Sequence, residues 1–180
     1  MGPPATVAAT LSVLPADEIA RRVRELGALL HACVHDGASI GFVLPFTEDD
    51  AAAFWSAGVL PAVRAGARVL LVAQDGGRIA GSVQLGCATP PNQPHRAEVS
   101  KLLVHPRLRR RGIARALMAG LERLAAQRGR SLITLDTRTG DAAEPLYASL
   151  GYKTAGVIPG YCRAPAGDRL DSTTIMYKTL

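Results

Sequence analysis

The run LLVHPRLRRRGIARALMAGL, residues 102–121, constrains this chain most. Apolar residues stop at His105-Pro106, a basic loop runs to Gly112, and Ile113, Leu117, Leu121 and Leu124 then recur at helical spacing. The pattern reads as a buried strand feeding a helix over about Gly112–Arg128. A strand that delivers a helix N-terminus through a glycine offers an anion free backbone N–H groups and the positive end of the helix dipole. Gly112 has no Cβ to block close approach, and Ala114 is small for the same reason. Arg107, Arg109, Arg110, Arg111 and Arg115 place five guanidinium groups nearby, planar donors suited to phosphate oxygens. No GxxxxGK[ST] occurs, and no GxGxxG follows a strand, so neither a P-loop nor a dinucleotide fold accounts for the site.

The rest of the chain supplies a sheet around this unit. A short strand is expected over Val7–Val13. Ile19, Val23, Leu26, Leu30 and Cys33 mark one buried face of a single helix, with Asp17 and Glu18 in its first turn. Thr47 and Asp50 form a capping pattern before AAAFW, and Pro61 is expected to kink or split that second helix. RVLLVAQ (68–74) and RIAGSVQLGCA (78–88), joined by Asp75-Gly76-Gly77, read as a hairpin. AEVSKLLVHP (97–106) is a third strand. SLITLDT (131–137), a short helix over 143–150 and closing strands over 151–159 and 172–180 complete a mixed α/β sheet in one domain, residues 1–180, with 1–6 a flexible tail.

The net charge of +6 points to an acidic partner without naming one. Aromatic residues are only 4% and no second basic stripe appears, which argues against a nucleic-acid surface. No apolar run is long enough for a membrane span. Cys33, Cys87 and Cys162 are far apart and odd in number, which fits a reducing, cytoplasmic setting without a disulfide framework. The start lacks a basic n-region, so no secretory signal is expected, and MGPPAT matches the myristoylation pattern only loosely. His31 and His35 share a helix face but lack further ligands, so no metal is expected.

The hexad Arg109-Arg110-Arg111-Gly112-Ile113-Ala114 resembles the [RQ]-x-x-G-x-[GA] pyrophosphate loop of the GNAT N-acetyltransferase superfamily. The preceding strand and proline, the following helix and the order of elements match too. The resemblance implies a GNAT-type, mostly antiparallel central sheet flanked by helices. It also implies acetyl-CoA as acetyl donor, held by Leu102, Leu103, Val104, Arg109, Arg110, Arg111, Gly112, Ile113, Ala114 and Arg115. Residues 29–42 (LLHACVHDGASIGF) and the stretch from LDTRTG to the terminal YKTL are similar to the tabtoxin-resistance enzymes of that superfamily. That similarity implies a small-molecule amine as acceptor, a tabtoxinine-like β-lactam or another amino-acid-like toxin. A protein lysine or N-terminus, or an inactive binding module, stays open as an alternative, as does a homodimer.

Acetyl transfer to an amine needs a neutral amine, a stabilised oxyanion and a protonated thiolate. Tyr147, in AEPLYASLGY, is the general acid that the resemblance implies, with a core tyrosine as the alternative. Asp136 ends an apolar strand and is placed by the same resemblance in the active site, as amine anchor or base; a loop-capping role is its alternative. Glu98 is the second candidate base, against a salt bridge with Arg96 or Lys101. Strand alternation predicts that Glu98, Ser100, Leu102 and Val104 share a face. The N–H groups of Leu103 and Val104 are the expected oxyanion donors. His35, Asp36 and Ser39 are the expected acceptor contacts.

Overall fold

The computed structural model describes residues 9–180. The tail 1–6, the pattern at Gly2 and the start of the Val7–Val13 strand lie outside the described residues. The chain forms a seven-stranded sheet in the order β1-β2-β3-β4-β5-β7-β6. Its strands are β1 (Thr10–Val13), β2 (Arg68–Asp75), β3 (Arg78–Gly86), β4 (Arg96–Val104), β5 (Leu132–Arg138), β6 (Lys153–Arg163) and β7 (Leu170–Thr179). Every neighbouring pair is antiparallel except β4 and β5.

Helices cover the two faces. α1 (Ala16–Arg21), α2 (Val23–His35), α3 (Glu48–Ala53) and α4 (Leu60–Arg64) bury Ile19, Leu26, Leu30 and Trp55 against Leu70, Val72 and Leu103. On the other face α5 (Ile113–Gln127) and α6 (Ala143–Ser149) bury Leu117, Met118, Leu121 and Tyr147 against Leu71, Val83, Val99 and Ile133. Burial of such side chains stabilises by about 1.5–3 kcal/mol each, so both layers hold the sheet.

One expectation about helices changes and one holds. The helix predicted as one piece from Ile19 to Cys33 breaks at Arg22 (φ −106°, ψ 17°). There the Arg22 side chain pairs with Glu25 at 2.7 Å and donates to the carbonyl of Gly77 at 2.9 Å, while Glu25 accepts from the Ile79 N–H at 2.7 Å. The break ties the helical layer to the β2–β3 turn, and the apolar period runs on across it. Pro61 splits the second helix, as expected. It has no N–H to give and its ring crowds the preceding turn, so the chain widens into a π-helical stretch, Phe54–Val59, before α4 resumes. At the start of α3 the Thr47–Asp50 capping box is formed in both directions.

Candidate active site

Two irregularities in β4 open the sheet. Ser82 faces Leu103 but Gln84 faces Ser100, so β4 carries one extra residue. The bulge residue is Lys101, with a left-handed backbone (φ 52°). The bulge resets the alternation. Ala97 and Val99 face α5, and beyond Lys101 so do Leu102 and Val104. Glu98 and Ser100 face the opposite side. The predicted shared face of Glu98, Ser100, Leu102 and Val104 is thereby corrected, because one extra residue flips every side chain after it.

The second irregularity is a splay. β4 and β5 pair only over Arg96↔Leu132, Ala97↔Ile133 and Glu98↔Thr134, and then part. His105 N–H donates to Ala80 O at 2.9 Å. In that antiparallel pattern Val104, opposite Gly81, turns its backbone groups away from β3, while Leu103 spends its own on Ser82. The expected pair of oxyanion donors is therefore corrected: Leu103 is committed to the sheet, and Val104 faces the gap.

A cleft of about 650 Å³ runs through the gap. At one end stands the start of α5. Gly112 is its N-cap in the left-handed conformation (φ 79°), with nothing within 4 Å of where a Cβ would project. Arg110 is also left-handed (φ 64°), a conformation that costs a non-glycine residue about 1–3 kcal/mol and persists only where its surroundings demand it. Arg109, Arg110, Ile113, Ala114 and Arg115 line this end. Arg109 pairs with Asp36, and Arg115 donates to Ser149 Oγ at 2.7 Å. Arg111, expected here as well, is exposed and does not line the cleft. The open glycine, free helix N–H groups and adjacent guanidinium groups fit a pyrophosphate.

Cys33, Asp36, Gly37, Ala38, Arg138, Asp141 and Leu146 also line the cleft, with Asp36 held against Arg109. Cys33 Sγ donates to the Val104 carbonyl at 3.5 Å, and burial pushes its thiol up to about 11. Arg138 is held by Asp141 at 3.2 Å and Asp171 at 3.7 Å. Two expected acceptor contacts are engaged elsewhere. His35 Nε2–H donates to Phe46 O at 2.8 Å, and Ser39 Oγ lies 3.7 Å from Cys162 Sγ.

Tyr147 is buried on α6 behind the cleft wall, its ring edge-on to Tyr152 at 5.8 Å. Burial first, then the charges of Asp136 and Asp141, raise its pKa above the ordinary phenol value. Asp136 and Glu98 lie on the face opposite α5. Asp136 is exposed and accepts from Thr173 Oγ1 at 3.1 Å; Glu98 is exposed and lies 3.8 Å from Arg96. Across β5 and β7, the buried Ile133, Leu135 and Met176 alternate with the half-buried to exposed Thr134, Asp136, Ile175 and Tyr177. On this face Asp136 stays exposed while its hydrogen-bond donor, Thr173, is buried. Lys101 joins this face and was not among the expected site residues. Its signal was a lone cation inside the apolar strand AEVSKLLV.

The chain belongs to the acetyltransferase (GNAT) family, whose sequence profile matches residues 42–152. Over 91 residues it is 40% identical to an acetyltransferase of Pectobacterium atrosepticum, a match covering 50% of this chain. The chain spans about three fifths (61%) of the length of that curated relative. Among solved structures it resembles a ribosomal-protein-alanine N-acetyltransferase from Brucella melitensis at 21% identity (TM-score 0.75, covering 95% of this chain and 99% of that one). It also resembles a GNAT superfamily phosphinothricin acetyltransferase from Sinorhizobium meliloti, solved in complex with acetyl-CoA, at 19% identity (TM-score 0.76, covering 96% and 89%). At these identities the structural likeness concerns the fold. Among the described residues no helix is long and apolar enough to cross a membrane, and no group of three His, Cys, Asp or Glu could hold a metal ion.

Proposed function

We propose that this protein transfers the acetyl group of acetyl-CoA to the amine of a small molecule by direct attack. The observation that carries this reading is the splay of β4 from β5 beside the start of α5. It puts an anion-ready helix end and the outward N–H of Val104 in one cleft. The pyrophosphate would rest on the N–H groups around Gly112–Ala114, with Arg110 and Arg115 beside it. The pantetheine arm would follow Leu102 and Val104, and the thioester would lie where the gap opens.

The neutral amine attacks the thioester carbon from the sheet face opposite α5. The Val104 N–H stabilises the oxyanion. The C–S bond then breaks, Tyr147 protonates the leaving thiolate, and the surplus proton on the new amide nitrogen passes through solvent to restore the Tyr147 phenol. A raised phenol pKa keeps Tyr147 protonated for that task. Asp136, with Glu98 as second candidate, holds the incoming ammonium and takes its proton. The similarity of residues 29–42 and 135–180 to the tabtoxin-resistance enzymes makes a β-lactam amino acid the first acceptor to try, with toxin resistance as the role. Asp36 is the acceptor-side contact retained from the loop after α2. The test is an acceptor screen that detects free CoA thiol, run beside a thermal shift with acetyl-CoA. No shift at millimolar acetyl-CoA would refute the donor; transfer only to protein amines would refute the small-molecule acceptor.

A further inference from the structure

The sheet face opposite α5 carries, beside the splay, an unequal set of charges. Arg68 is committed to Gln84 Oε1 at 2.7 Å. Arg96 is held by Gln93 at 2.8 Å and Thr134 at 3.1 Å, with Glu98 at 3.8 Å. Arg138 is held by Asp141 and Asp171. Lys101 enters no ion pair among the described residues, although Glu98 and Asp136 share its face. It is half-buried, with Nζ 5.8 Å from the centre of the Phe42 ring and 5.9 Å from that of Phe54.

Its position is costly to build. The left-handed backbone at Lys101 is a conformation that side chains disfavour. Gly41 lies over its tip, where a Cβ would come 3.7 Å from Nζ. A half-buried ammonium without a counter-ion is unfavourable unless something supplies the opposite charge. Burial lowers its pKa, Arg68 lowers it further, and Asp136 and Glu98 work against both. These carboxylates are thus near enough to act on Lys101 but too far to pair with it. An amine carrying its own carboxylate, approaching from the sheet face that the three residues share, would match them. Its ammonium meets Asp136 or Glu98 and its carboxylate meets Lys101.

We propose that Lys101 is the specificity-determining residue for the acceptor, binding a carboxylate carried by the substrate amine, so that the acceptors are amino acids rather than simple amines. This rests on the acetyl-transfer reading above and narrows it to one chemical class. Charge-assisted hydrogen bonds of this kind are strong and directional, and the centres of two aromatic rings lie 5.8 and 5.9 Å from the Lys101 Nζ.

The test uses matched acceptors: the common α-amino acids, their carboxamides and their decarboxylated amines. Each is assayed by thiol release with the wild-type protein, Lys101→Met and Lys101→Arg. Acetyl-CoA binding is followed by thermal shift in all three. Wild type is expected to favour the carboxylate over its amide by about tenfold or more in kcat/KM, mainly through KM, the size expected of one good ionic contact. Lys101→Met is expected to bring the three acceptors to near equality, and Lys101→Arg to keep the preference. If amides and simple amines serve as well as amino acids in wild type, the inference is wrong while the acetyl-transfer reading stands. The same holds if the carboxylate preference survives in Lys101→Met, or if acetyl-CoA binds and no amino acid is acetylated. Loss of acetyl-CoA binding in wild type would overturn both. Should Lys101→Met fail to fold, the wild-type comparison of acid with amide still decides.

Discussion

On the donor side of the cleft, one continuous run from Leu102 to Arg115 provides strand edge, loop and helix start. Of the candidate acceptor residues, only Asp36, from the loop after α2, lines the cleft; Glu98 on β4, Asp136 on β5 and Lys101 in the bulge stand on the sheet face opposite α5, outside its lining. The donor side works mainly through backbone: free N–H groups at the start of α5 and the turned-out groups of Val104. The candidate acceptor residues are charged side chains on the sheet face opposite α5, where α2 packs on β4 and the Phe54 ring centre lies 5.9 Å from the Lys101 Nζ. A backbone site survives many side-chain changes but fails when its conformation is forbidden. A side-chain site tolerates backbone neighbours but changes ligand with a single residue. That contrast would let a family keep its donor while its acceptor varies.

The sharpest test of the contrast is Tyr147, the side chain proposed to protonate the donor's sulfur. Tyr147→Phe keeps the packing against Tyr152 and is expected to lower kcat by roughly 10²–10⁴ with acetyl-CoA affinity unchanged. Burial raises the Tyr147 pKa, so its proton stays in place at neutral and mildly alkaline pH. Its ionisation should add no alkaline limb to the rate there. A Phe variant with full activity would remove Tyr147 as the acid.

Gly112→Asp tests the backbone side. It forces a side chain into φ 79° and sets a negative charge against the pyrophosphate. Acetyl-CoA at a hundredfold excess over Kd should stabilise the wild type by about 2.7 kcal/mol, and that shift should vanish in the variant. A shift of wild-type size would place the pyrophosphate elsewhere.

Gly81→Ala links the two sides through β4. A Cβ there would lie 2.6 Å from the Leu103 carbonyl, with Leu117 at 3.1 Å and Ile113 at 3.2 Å behind it. The strand must move, at a cost of about 1–3 kcal/mol in urea unfolding. Gly120→Ala is the control, since its nearest neighbours, Leu11 at 2.9 Å and Leu71 at 3.0 Å, are tips of flexible side chains. Equal losses would mean that β4 is softer than this account needs.

On the acceptor side, Asp136→Asn should reduce kcat/KM about tenfold more than Glu98→Gln, because Glu98 already has Arg96 at 3.8 Å. The reverse ranking would move the base to β4. The smallest effect concerns Cys33. With its thiol pushed up to about 11 by burial, its alkylation should be slow at pH 8 and accelerate only as the pH nears that value. Fast labelling of Cys33 at neutral pH, read by mass spectrometry, would mean that the wall beside Val104 opens.

The order of strands and helices could be read from the chain because local periods and turn residues dictate it. Leu117 and Leu121 mark the inner face of α5, and Asp75-Gly76-Gly77 marks a hairpin. What could not be read was where regularity fails. Nothing in SKLLV announces that Lys101 takes a left-handed backbone, yet that one residue decides which way Leu102 and Val104 face. The pairing of Arg109 with Asp36 joins residues 73 positions apart, which no local pattern records. His35 reads as a polar contact and is used instead to hold the Phe46 carbonyl.

By itself the sequence determined the strand–loop–helix unit, its glycine and its arginines, because each acts through neighbours a few residues away. Only the tertiary structure decided the acceptor side. Which charges share a face depends on the bulge in β4 and the early parting of β4 from β5. These are non-local contacts. Their energy lies between segments, so the residues that make them carry no mark of it in sequence.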